Sequence, residues 1–226
     1  MLAVGNCAMS FIRATAVALW ATTLIADVAH AQVQPGCPPA APYVAAEQPK
    51  TVGTALEIPI WKTIKVGGYQ NSGAMREAIQ SAPCRMAIGD DANEVLGRPA
   101  FQFIKTRIEL DLVVVSVAEL GFGEAAPLKD IYLRAFAHGF DLCPAEVGPA
   151  LRLNYLDQPL GEFLRLAMQP ISRYNGELVI FSVGNGGEGL LLIGVDGGPN
   201  ATLSRSARLV FVRPRPITPL NIGERR

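Results

Sequence analysis

Glu109, Asp111 and Glu146 are the side chains whose type and placement come nearest to hydrolytic chemistry. Glu109 and Asp111 stand two apart in an alternating apolar stretch. On a strand they would share a face with about 6.5–7 Å between positions, a separation that a pair of glycosidase carboxyls uses. The same alternation is equally the pattern of a solvated strand face. His138 is the only histidine after the first 31 residues, which excludes a zinc site with two histidines from one chain. A Ser-His-Asp or Cys-His arrangement would have to use it, yet it falls in the last turn of an expected helix, where a cation favours the dipole. No G-x-S-x-G elbow, H-E-x-x-H pair or P-loop accompanies it.

Gly184-Asn185-Gly186-Gly187-Glu188-Gly189 matches G-x-G-x-x-G. A phosphate cradle needs a helix directly after the glycines to supply free N–H groups, and here a strand-like Leu190-Leu191-Leu192-Ile193 follows. A glycine-rich hairpin loop is the expectation, with no nucleotide and no other cofactor or metal. Three cysteines follow the first 31 residues. If two of them pair in an oxidising compartment, Cys84 and Cys143 are the candidates, because Cys37 lies in a Pro/Ala-rich stretch; the alternative is that all three stay reduced and partly buried.

The elements that must position these groups follow from periodicity. Residues 58–66 read as a strand, and Asn71 or Ser72 caps a helix that ends before Pro83. A short helix spans 91–96. Residues 107–117 alternate and then become Val113-Val114-Val115, the best candidate for a central strand. Residues 126–138 carry an apolar stripe at helical spacing. A turn of helix opens at 143–146, and Leu151, Leu153 and Tyr155 alternate like a strand. Four strand-like runs, 162–168, 177–183, 189–195 and 207–213, are separated by turn chemistry such as Asn175-Gly176. The expected fold is α+β, a helical N-terminal half packed on a C-terminal antiparallel β-meander.

The 226 residues are half hydrophobic, with 20 basic against 20 acidic side chains, a balance that disfavours a nucleic-acid binder. Part of the positive mean hydropathy comes from the N-terminus. There Arg13, an apolar run and Ala29-His30-Ala31 have the layout of a cleaved signal peptide over 1–31, too short for a membrane span. A Pro/Ala-rich leader over 32–55, a single domain over 56–214 and a basic tail over 215–226 complete the division. No transmembrane helix is expected after signal cleavage, and the location read from this is periplasmic or secreted.

Several segments recur in order: Ile88-Gly89-Asp90 with Ala92-Asn93-Glu94-Val95-Leu96-Gly97, Asp111-Leu112-Val113-Val114-Val115-Ser116-Val117-Ala118-Glu119-Leu120-Gly121-Phe122, Leu142-Cys143-Pro144-Ala145-Glu146-Val147-Gly148-Pro149, and Val210-Phe211-Val212-Arg213. On these the chain resembles a group of uncharacterised bacterial proteins. The resemblance implies that residues 61–213 form one unit, and it brings neither an activity nor catalytic residues. The expected function is an exported, non-catalytic binding or interaction module for an unknown ligand or protein partner. The alternative is a carboxylate-dependent hydrolase of the cell envelope that uses Glu109, Asp111 and Glu146.

Overall fold

The computed structural model describes residues 36–44, 51–187 and 189–215. The expected signal segment and the tail beyond Arg215 lie outside the described residues. After a single 3-10 turn, Ala55–Glu57, the first half runs β1 (Lys62–Val66), α1 (Ser72–Gln80), β2 (Met86–Ile88), α2 (Asp90–Leu96) and β3 (Ile108–Ser116). The chain continues through β4 (Ala126–Pro127), α3 (Leu128–Ala137), α4 (Val147–Asn154), β5 (Phe163–Leu166) and β6 (Ile171–Ser172). It ends with β7 (Leu178–Asn185), β8 (Leu190–Asp196), β9 (Thr202–Leu203) and β10 (Arg208–Val212).

The main sheet has the order β1-β3-β10-β5-β7-β8-β2, with β6 paired to β7 off this path. Its seven-strand path curls into a half-barrel. The helical half packed on a C-terminal antiparallel meander is therefore corrected: the molecule is mostly sheet with four short helices among the described residues, and both halves contribute strands. The reason lies in long-range pairing. The second part of β3 buries Leu112, Val113 and Val115 and so needs a neighbour on each side. It finds β1 on one side and β10 on the other, both antiparallel. β10 then pairs parallel with β5, and β2 pairs parallel with β8, so the C-terminal strands are not a pure meander.

Local signals fixed most elements. Asn71 caps α1 by accepting the Ala74 N–H at 2.9 Å, and α3 turns Leu128, Ile131 and Ala135 inward. β7 and β8 form an antiparallel hairpin in register from Val179↔Asp196 to Asn185↔Leu190. Its closing glycines include Gly187 at φ 92° and Gly189 at φ 133°, so residues 184–187 and 189 belong to strand and hairpin, and β8 follows from Leu190.

Two expectations are corrected. Leu151, Leu153 and Tyr155 do not form a strand: residues Val147–Asn154 are the helix α4. Its first turn includes Pro149, whose missing N–H is harmless there. This helix lies in the core, and Gly148 is packed so closely that a Cβ would sit 2.7 Å from the Phe181 ring. The disulfide is Cys37–Cys84, not Cys84–Cys143. Cys143 is buried and reduced, with its thiol directed at the Val210 carbonyl at 3.4 Å. The attachment of the Pro/Ala-rich leader is not legible in the sequence, because a Pro-rich stretch carries no periodicity and its docking is tertiary. Besides the disulfide, the Ala41 N–H donates to the Asp157 carbonyl at 2.8 Å. Among the described residues no helix is long and apolar enough to cross a membrane.

Candidate functional site

The three carboxylates singled out by spacing are placed differently from one another. Glu109 and Asp111 lie on the outer part of β3, opposite Lys65 and Thr63 of β1. Glu109 pairs with Lys65 at 3.6 Å. Asp111 accepts from Arg215 Nε at 2.9 Å and from the Thr63 hydroxyl at 2.7 Å. Those two donors, Arg215 first, hold its carboxyl below the usual range. Glu146 is fully buried, and each oxygen takes one backbone N–H: Gly67 at 2.8 Å and Ile104 at 2.7 Å. With no exposed surface and each oxygen held by a different loop, Glu146 is closed to a substrate and is a clamp between two loops.

The remaining chemistry-bearing groups are similarly tied down. His138 ends α3, with Nδ1 2.6 Å from the Gly53 carbonyl, and its own carbonyl accepts the Ala55 N–H at 2.7 Å. It staples the helix end to residues 53–55. Arg173 neutralises Asp91, Glu94 and Glu177 at 3.0, 3.1 and 2.9 Å and fastens the turn before β7 to α2. Among the described residues no group of three His, Cys, Asp or Glu side chains is placed to hold a metal ion.

A buried polar network lies between α4 and the sheet, with Arg152 Nε its one buried side-chain atom without a partner among the described residues. Fully buried Arg152 donates to Gln158 Oε1 at 2.6 Å, to the Gly184 carbonyl at 3.1 Å and to the Tyr155 carbonyl. Gln158 in turn donates to the carbonyls of Glu162 and Val183, each at 3.2 Å. Glu162 accepts from the Tyr155 hydroxyl at 2.6 Å and is paired with Arg208. Desolvation lowers the Arg152 guanidinium to about 10, and burial raises the Tyr155 phenol above its ordinary value. This network joins α4, β7, β10 and the residues leading into β5 as a polar core.

The open feature is a cleft of about 660 Å³ between residues 67–70, which follow β1, and residues 101–107, which precede β3. Gly67 makes it possible: at φ +81° its α-carbon rests on the facing loop, where a Cβ would meet the Thr106 carbonyl oxygen at 2.3 Å. Gly68 is the opposite case, with nothing within 4 Å of a Cβ, so it opens directly on the cleft. Tyr69, Gln70 and Gln102 supply polar lining, and Phe103, in edge contact with Phe101 at 4.9 Å, supplies an aromatic wall. Lys105 and Arg107 are exposed at the rim and no Asp or Glu lines the cleft. The back of the same loop borders a second hollow of about 290 Å³ near Pro144 and Pro170.

Sequence reasoning missed this cleft. Its loops are 30 residues apart and neither is periodic, and Glu146, which joins them, was read as chemistry. Gly67-Gly68 directly after a strand was the one local signal. No protein-family model, no curated protein and no solved structure matches this chain.

Proposed function

We propose that this chain is an exported, non-catalytic binding module whose ligand occupies the cleft between residues 67–70 and 101–107. One observation carries the reading. The carboxylates that hydrolysis would require are all engaged, Glu109 by Lys65, Asp111 by Arg215 and Thr63, and Glu146 by two backbone N–H groups, whereas in the cleft Tyr69, Gln70, Lys105 and Arg107 make no side-chain hydrogen bond to a described residue and Gln102 alone is engaged, by the Pro99 carbonyl. A site built from loops on a rigid sheet is the common arrangement for recognition, and its volume is that of a small-molecule pocket. The Cys37–Cys84 bridge supports an oxidising, periplasmic or secreted location. The resemblance to uncharacterised bacterial proteins belongs to the same proposal and adds no activity to it.

The test is a fragment screen against the disulfide-bonded chain, mapped by amide chemical shifts. Hits should perturb residues 67–70 and 101–107 and should be lost in Gly68→Leu, which fills the cleft at a position with room for a side chain and no positive φ. Turnover of ester or glycoside reporters that disappears in Glu109→Gln/Asp111→Asn, with the fold intact, would overturn the non-catalytic reading.

A further inference from the structure

Resting on the cleft reading above, the geometry points to a ligand class: we propose that the cleft takes a small organic anion, a carboxylate carried on a planar aromatic body. Charge is the first argument. The lining contains Lys105 and Arg107 and not one acidic side chain. Neither cation makes an ion pair or a hydrogen bond with any described residue, although Lys65, at the end of β1, has Glu109 as a partner. Glu109, two residues past Arg107, is paired with Lys65, and Glu146, beneath the loops, gives one oxygen to each of the Gly67 and Ile104 N–H groups. Its charge is therefore spent on holding the cleft's frame, and the rim keeps two positive groups without an internal counter-charge.

The second argument is shape. The Gly67 contact with the Thr106 carbonyl and the Ile104 N–H bond to Glu146 fix both loops at their bases, so the rim cations stand on a preorganised frame. Between them, Gly68 leaves an open floor, and Tyr69 and Phe103 offer ring faces or edges. Gln70 can donate through its amide to an oxygen acceptor, and Gln102, whose amide gives one hydrogen to the Pro99 carbonyl at 2.6 Å, keeps a second. Arg107 can grip a carboxylate with two parallel N–H groups, and Lys105 supplies a point charge. A planar anion satisfies every one of these groups, whereas a cation would face two like charges and an uncharged polar ligand would leave them idle.

The probes are 2-naphthoate and 2-naphthol, which share a ring system and differ in the anion, titrated at neutral pH and followed by amide shifts. 2-Naphthoate should saturate at residues 68, 69, 105 and 106, bind more tightly than 2-naphthol and weaken as salt is raised. In Lys105→Ala/Arg107→Ala its affinity should fall about tenfold while that of 2-naphthol is unchanged. Gly68→Leu should abolish both. Melting curves matching the wild type qualify each variant as folded. If the two probes bind equally and Gly68→Leu abolishes both, the cleft stands and the anion inference fails. If neither probe saturates at the cleft, or if Gly68→Leu leaves both unchanged, the cleft reading and the inference fall together.

Discussion

Glu146 and Glu162 are both buried carboxylates, 0% and 6% exposed, and the protein uses them in opposite ways. Glu162 is answered by side chains, the Tyr155 hydroxyl and Arg208, inside a buried network that continues through Gln158 to Arg152. Glu146 is answered by main chain alone, one N–H from each of two loops. A side-chain partner fills the volume beside the carboxylate, while a backbone partner brings a loop to it and leaves the loop's side chains directed elsewhere. One carboxylate therefore closes a core, and the other frames a cleft.

The comparison can be broken at four points of decreasing effect. Arg152→Ala removes the centre of the buried network, leaving the Gln158 side chain and several carbonyls without a donor around a void. We expect a loss of about 4 kcal/mol in urea unfolding, with unchanged amide shifts at 67–70 in the folded fraction. Glu146→Ala leaves two half-buried N–H groups without their acceptor and a void at a fully buried position, and should cost about 3 kcal/mol, with shift changes concentrated at 67–70 and 101–107. An equal spread of shifts in both variants would erase the distinction between network and clamp.

The surface carboxylates set the lower end. The Asp111 carboxyl is held below its ordinary value of about 3.9 by Arg215 and Thr63, so its contribution is complete above that value and is lost as pH falls through the lower folded value. Asp111→Asn should destabilise by less than about 1 kcal/mol at pH 7, and the gap between wild type and variant should close in melts below about pH 4. Glu109→Gln, which breaks one exposed pair with Lys65, should change stability by under about 0.5 kcal/mol.

How much of this was legible in the sequence depended on the range of the interaction. Leu128, Ile131 and Ala135 announced α3, and the glycines closing β7 to β8 announced a hairpin, because a few neighbouring residues decide both. The position of β10 between β3 and β5 joins segments about a hundred and about forty residues away, and no local pattern specifies it. α4 was hidden by Arg152, a charge at a core position of a helix, which left only the misleading alternation of Leu151, Leu153 and Tyr155. For the candidate site, Glu146 stood out by type, but its role depends on Gly67 and Ile104, which come from two separate loops.

Amide hydrogen exchange of Gly67 and Ile104 in the wild type and in Glu146→Gln tests the central claim most directly. An amide side chain offers one acceptor oxygen where the carboxylate offered two, so one of the two N–H groups loses its partner. The account predicts that exchange rises at whichever of Gly67 and Ile104 loses its acceptor, and at that loop's neighbours, while Leu112, Val210 and Phe181 in the sheet keep their protection. Unchanged exchange at both loop amides, or a loss of protection spread evenly through the sheet, would contradict it.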